Sequence, residues 1–203
     1  MKIREQEMTK IKRIKRDMVK IAKRCSSRNA QTGNGGNISV KLDDEHMIIM
    51  ASKSSFADCK EGNFVTTNLN CELVSGKKAP SRESLLHAAI YRKFKHVNAI
   101  VHCHSPFATS WAATMLPLPF STYHAETKLK SNLKVFDTGG YAVPEDKVAE
   151  IMDQYELNEE IKGFLLKKHG AFAFGENILE ASYIADLIEE TAQIRIIGEL
   201  LAK

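Results

Sequence analysis

Residues 99–106 read Ala99-Ile100-Val101-His102-Cys103-His104-Ser105-Pro106. A short apolar run of this kind, closed by Ser-Pro, predicts a buried strand that ends near His104. Side chains at i and i+2 leave the same face of a strand, so His102 and His104 project together, roughly 7 Å apart by the usual rise. Two imidazoles on one face can close on a single metal ion where the strand ends. The alternative is a pair of hydrogen-bonded histidines on a polar face. Cys103, pointing the other way, is expected in the core.

Working outward, a helix is expected from Ser81 to about Lys95, with Leu85, Leu86, Ala89, Ile90 and Phe94 as its apolar positions. A second is expected from Pro106 to about Ala113. Upstream, Ile38–Lys41 and Met47–Met50 flank the turn Asp43-Asp44 and read as a hairpin. Phe64–Thr67 and Glu72–Val74 read as further strands. Residues 5–29 carry Ile11, Ile14, Met18, Ile21 and Ala22 at helical spacing. Downstream, Val135–Asp137 and Ala171–Phe174 read as strands, and Asp146–Gln154 and Glu159–Leu165 as helices. Asn177 caps a final helix with Glu180 at its N3 position. The buried stripe expected there is Ile184, Leu187, Ile188, Ile194, Ile197 and Leu201. Strands and helices mix without strict βαβ alternation, which favours a layered α/β domain with a mostly antiparallel sheet.

Three further elements carry chemistry. His169 precedes Gly170 and an apolar strand, where a third imidazole could complete a site suited to zinc, manganese or iron. Glu83 lies in the expected first turn of its helix, either as an acidic residue favoured by the positive helix end or as a carboxylate able to exchange a proton with substrate. Gly35-Gly36-Asn37, Ser52-Lys53-Ser54-Ser55 and Ser81-Arg82 bring glycines, hydroxyls and cations that suit a phosphate or carboxylate, or serve as plain turns.

The 203 residues suffice for one domain. A net charge of +4 is too small to imply nucleic acid by itself. The basic run between Lys10 and Lys23 reads as the solvated face of an amphipathic helix. No apolar stretch approaches the ~18 residues of a membrane span. The first residues lack the pattern of an export signal. The four cysteines, Cys25, Cys59, Cys71 and Cys103, show no CxxC pair, so a cytoplasmic protein with reduced thiols is expected.

Taken in order, Gly35-Gly36-Asn37-Ile38-Ser39-Val40, Pro80-Ser81-Arg82-Glu83 followed by His87, His102-Cys103-His104-Ser105-Pro106, His169-Gly170 and Asn177-Ile178-Leu179-Glu180-Ala181 resemble the class II aldolase/adducin family. The resemblance runs from about residue 8 to 201. It implies a single three-layer α/β/α domain over residues 1–203 around a mainly antiparallel sheet, and a homotetramer. It implies His102, His104 and His169 as metal ligands, joined by Glu83 when substrate is absent. Zinc is the first expectation, with Mn2+, Fe2+ or Co2+ as alternatives. Glu83 would be the catalytic acid/base. Gly36, Asn37, Ser52 and Ser81 match phosphate-contacting positions, and Lys53 and Arg82 replace a glycine and a serine there.

The implied function is metal-dependent aldol cleavage of a phosphorylated keto sugar or sugar acid through a metal-stabilised enediolate. The same scaffold hosts decarboxylases, epimerases and dehydratases of sugar phosphates, and non-catalytic adducin-like modules. The catalytic tyrosines of fuculose-phosphate aldolases have no clean counterpart. The corresponding loop holds Tyr123 and His124 out of register, and no tail with a second tyrosine is expected after the last helix.

Overall fold

The computed structural model describes residues 2–31 and 33–202, with side chains from residue 6 onward. Thr32 of the glycine-rich loop lies outside the described residues. The elements run α1 (Lys2–Ser27), β1 (Asn37–Lys41), β2 (His46–Met50), β3 (Phe64–Asn68), β4 (Leu73–Ser75), α2 (Ser84–Lys93), β5 (Ala99–Cys103), α3 (Pro106–Ala112), α4 (Tyr123–Leu129), β6 (Val135–Phe136), α5 (Glu145–Asp153), β7 (Gly163–Leu166), β8 (Gly170–Gly175) and α6 (Ile178–Leu201).

The strands form one eight-stranded sheet in the order β4-β3-β2-β1-β5-β8-β7-β6. All pairings are antiparallel except β6 with β7. The expected hairpin is β1–β2, with Ser39 opposite Ile49. Two apolar clusters cover the two faces. One gathers Met18 and Ile21 of α1, Trp111 of α3, Leu129 of α4 and Ile184 and Ile188 of α6. The other gathers Leu86 and Ile90 of α2 with Val148 and Ile151 of α5. The strands β5 and β8 are buried along their whole length because both faces are covered. The architecture is therefore three-layer α/β/α, as the family resemblance implies, around the mostly antiparallel sheet expected from the element pattern.

Three expectations need correction, and one helix was not expected. Residues 159–165 do not form a helix. Gly163–Leu166 is the strand β7, and its Phe-Leu-Leu run is buried between β6 and β8, where a continuous apolar run carries no strand period to read. The short helix α4 has no counterpart among the expected elements. The helix expected from Ser81 starts at Ser84, with Glu83 as its N-cap residue. On α6, Ile184, Leu187 and Ile188 are buried, but Ile194, Ile197 and Leu201 are exposed because the helix runs past the sheet. Asn177 caps α6 as expected, accepting from the N–H groups of Leu179 and Glu180. Glu180 completes the cap one residue further back, accepting from the Glu176 N–H.

Candidate active site

The end of β5 and the turn between β7 and β8 meet through sheet register. Cys103 pairs with Ala171, which puts His104 beside Gly170 and brings His169 to the same corner. Gly170 is required there: its φ is +151°, and a Cβ would lie 2.2 Å from the Cys103 carbonyl oxygen. Cys103 itself points into the core and is fully buried.

The rings of His102, His104 and His169 pack edge to face, with centroids 4.7–4.9 Å apart. Each offers a nitrogen within 4.8 Å of the others. His102 is fixed from behind. Its Nδ1 donates to the Ala171 carbonyl at 3.0 Å, and its ring stacks on Phe172 at 4.1 Å. That bond assigns the proton to Nδ1 and leaves the Nε2 lone pair facing the cluster. Burial depresses all three imidazoles. His102 lies well below the usual range, its neighbours His169 and His104 adding to burial. His104 is lowered by burial, and His169 is lowered to about 4 by burial and then by His104. At neutral pH the three rings are uncharged donors of lone pairs.

Glu83 faces them. Its Oε2 lies 3.2 Å from His102 Nε2 and its Oε1 3.2 Å from His169 Nε2. Asn37 Nδ2 donates to Oε2 at 2.5 Å. Burial pushes the carboxyl up to about 7, against the Asn37 bond and the nearby Arg82 charge. Lone pairs of neutral imidazoles set against carboxylate oxygens repel unless a proton or a cation stands between them. Glu83 Oε1 and both ring nitrogens of His169 have no hydrogen-bond partner despite burial. This donor set fits a divalent cation, and imidazole with carboxylate suits zinc or another first-row metal.

Next to Glu83 opens a cavity of about 490 Å3. Three loops line it, and the sheet explains why they meet. The Ala51–Pro80 bridge, with Ser81 N–H bonded to the Met50 carbonyl, lays the segment before α2 along the end of β2. Ser52 and Lys53 thereby reach the same wall as Ser81 and Arg82, and Gly36 and Asn37 enter from the start of β1. All six expected anion-binding positions, together with Glu83, thus line one cavity.

Two local readings change. Gly36, at φ +68°, is there because of close approach: a Cβ would lie 2.5 Å from Gln31 Oε1 and 2.7 Å from the His102 carbonyl oxygen. Lys53 adopts φ +60°, the left-handed conformation that favours glycine. A larger cavity, about 570 Å3, lies between α4 and α6 beside Arg28 and touches none of these residues.

Comparison with known proteins shows the family and the fold. The profile described as Class II Aldolase and Adducin N-terminal domain matches residues 16–196. The chain belongs to the class II aldolase and adducin family. This class II aldolase-family chain is 28% identical over 189 residues to an L-fuculose phosphate aldolase of Methanocaldococcus jannaschii, covering 93% of this chain and 99% of that protein. It is 29% identical over 183 residues to a 3-oxo-tetronate 4-phosphate decarboxylase of Haemophilus influenzae, covering 87% and 84%. Its fold superposes on a solved L-fuculose 1-phosphate aldolase with a TM-score of 0.82 and 27% identity, over 94% of this chain and 88% of that one.

The loop tyrosine that stood out of register with the family pattern lies apart from the site. Tyr123 is 91% exposed at the start of α4 and does not line the cavity. Sequence reasoning missed Tyr141. It follows the Gly139-Gly140 turn after β6, lines the cavity, and lies 5.2 Å from the His169 ring and 6.1 Å from that of His104. Its only sequence signal is an aromatic placed directly after a glycine pair.

Proposed function

We propose that the protein is a metal-dependent aldolase that cleaves a phosphorylated keto sugar or sugar acid. The observation that carries this reading is the junction of two unlike sites. A buried cluster of three neutral imidazoles and a carboxylate adjoins a cavity lined by Ser52, Lys53, Ser81 and Arg82. His102, His104 and His169 would hold the ion, zinc first by ligand type, with Mn2+, Fe2+ and Co2+ as alternatives. When bound, it supplies a Lewis acid that draws negative charge onto substrate oxygens.

The chain's own residues do the rest. Gly36, Asn37, Ser52 and Ser81, with the cations Lys53 and Arg82, anchor the phosphate and so fix the carbon chain relative to Glu83. As the carbon–carbon bond breaks, the hydroxyl β to the ketone loses its proton to water and becomes the aldehyde. The electron pair left on carbon takes a proton from Glu83, giving the ketone phosphate. Oε2 is held by Asn37, so Oε1 is the oxygen left to move that proton. A carboxyl pushed up to about 7 exchanges protons readily near neutral pH.

Decarboxylation of a sugar-acid phosphate is the second reading, supported by the Haemophilus relative of that name. It places carbon dioxide where the aldehyde would leave and uses the same residues. Residues 1–203 would act as one domain in a cytoplasmic homotetramer. Four unpaired cysteines support the compartment, and the exposed Ile194, Ile197 and Leu200 of α6 support assembly.

The test is elemental analysis of the purified protein beside a His102→Ala/His104→Ala variant, followed by a screen of keto-sugar phosphates for aldehyde or carbon dioxide. About one divalent ion per chain, lost in the variant, is the expected result. No ion after incubation with zinc, manganese or cobalt would sink the reading in favour of a non-catalytic module.

A further inference from the structure

Arg82 lies in the anion cavity with an unusual set of neighbours. Among the described residues no carboxylate or carbonyl accepts a hydrogen bond from its guanidinium, which lies over Tyr141 with the ring centroid 4.8 Å from Cζ. Tyr141 in turn touches the histidine cluster, tilted 32° to His169 and perpendicular to His104. The loop that carries Tyr141 is tied down. Gly139 N–H donates to Asp137 Oδ1 and Thr138 Oγ1 to the Gly140 carbonyl, while Lys167, two residues before His169, bonds Asp137 Oδ2 at 2.6 Å. The ring is thus fixed to the same turn that carries His169.

An arginine laid on an aromatic face loses the freedom to swing but keeps its N–H edge for an anion, whose planar fork fits two phosphate oxygens. Free in an open cavity, the same side chain would have to be ordered by each ligand it binds. We propose that Tyr141 is a positioning residue for Arg82: its ring holds the guanidinium so that the N–H edge meets the phosphate of a phosphate monoester. The inference rests on the phosphate reading of the cavity. It assigns Tyr141 no contact with the reacting carbons. Its hydroxyl has no role in it, and only the ring face matters.

The test is calorimetric titration of the metal-replete protein with ethyl phosphate, a monoester without a carbonyl. Tyr141→Phe keeps the ring and should bind within about twofold of native. Tyr141→Ala should bind roughly three- to tenfold more weakly, the range expected for losing one cation–π contact. Arg82→Ser should also weaken binding, and adding Tyr141→Ala to it should change nothing further, because the tyrosine acts only through the arginine. Tyr141 is 55% exposed, so metal content and unfolding midpoint should be unchanged throughout. Native-like binding by Tyr141→Ala, or an undiminished effect of that change in the Arg82→Ser background, overturns the proposal while leaving the phosphate site standing. A native protein that does not bind ethyl phosphate overturns the phosphate site itself, and the proposal with it.

Discussion

His87 offers a test of the packing beneath the site that needs no substrate. It sits one helical turn after Glu83 on α2, fully buried, with Nδ1 2.7 Å from Ser39 Oγ and Nε2 without a partner. Ser39 Oγ also meets Tyr91 Oη at 2.6 Å. Burial lowers the imidazole to about 3, against about 6.5 in the unfolded chain. The folded value is the lower one, so the stabilising contribution is complete above pH 6.5 and is lost as pH falls, when the unfolded chain takes up a proton that the folded chain refuses. At pH 5 the loss is RT ln(1 + 10^1.5), about 2 kcal/mol. That figure barely depends on the folded value, because the buried ring is already neutral at pH 5. His87→Asn keeps a group able to reach Ser39 and removes the titration. Urea unfolding of metal-free protein, read by the buried Trp111, should therefore show native protein losing about 2 kcal/mol more than the variant between pH 7.5 and pH 5. Parallel losses in the two proteins would mean that His87 is solvated or already protonated when folded, and would refute the account of its burial.

The remaining expectations concern the site. Glu83→Gln should retain metal and lose turnover about 10^2- to 10^4-fold, and near-native turnover would remove Glu83 from the chemistry. Burial raises Glu83 to about 7, above its unfolded value, so its stability term is complete at acid pH and lost as pH rises toward 7. Metal-free Glu83→Gln should accordingly gain on native protein in urea titrations as pH rises, and a pH-independent difference would contradict that. Lys53→Gly should relieve the φ +60° strain and stabilise by about 1 kcal/mol while weakening phosphate monoester binding in calorimetry. Unchanged affinity would place Lys53 outside the anion site. Gly36→Ala should cost about 2 kcal/mol or more, since its Cβ meets the immovable His102 carbonyl, and a near-native thermal midpoint would show that the loop can shift.

Legibility divided along a physical line. Features set by neighbours in sequence could be read: the β1–β2 hairpin, the shared face of His102 and His104, the Asn177 cap. Features set by what packs against a segment could not. The Phe-Leu-Leu run of β7 has no period because both its faces are buried. The apolar stripe of α6 continues past the sheet, so Ile194 and Ile197 look like core in sequence and lie exposed. Tyr141 meets Arg82 across a gap that no local pattern spans. His169 could be offered as a third imidazole from its place before Gly170, but no local pattern fixed its approach to the other two, which depends on the pairing of Cys103 with Ala171.

The deeper regularity is that two periods meet at Glu83. Asn37 and Ser39 stand two apart on β1 and so share a face. Glu83 and His87 stand four apart on α2 and so share a stripe. The structure joins them rung by rung, Asn37 to Glu83 and Ser39 to His87, while Asn37 also pairs with His102 across the sheet. A slip of one residue in β1 would turn Asn37 and Ser39 to the opposite face and release the carboxylate and the buried imidazole together. The sheet register that folds the protein is therefore the same constraint that aims Glu83 at the histidines. Substitutions at Ser39 should disturb the site through α2 even though Ser39 does not line the cavity.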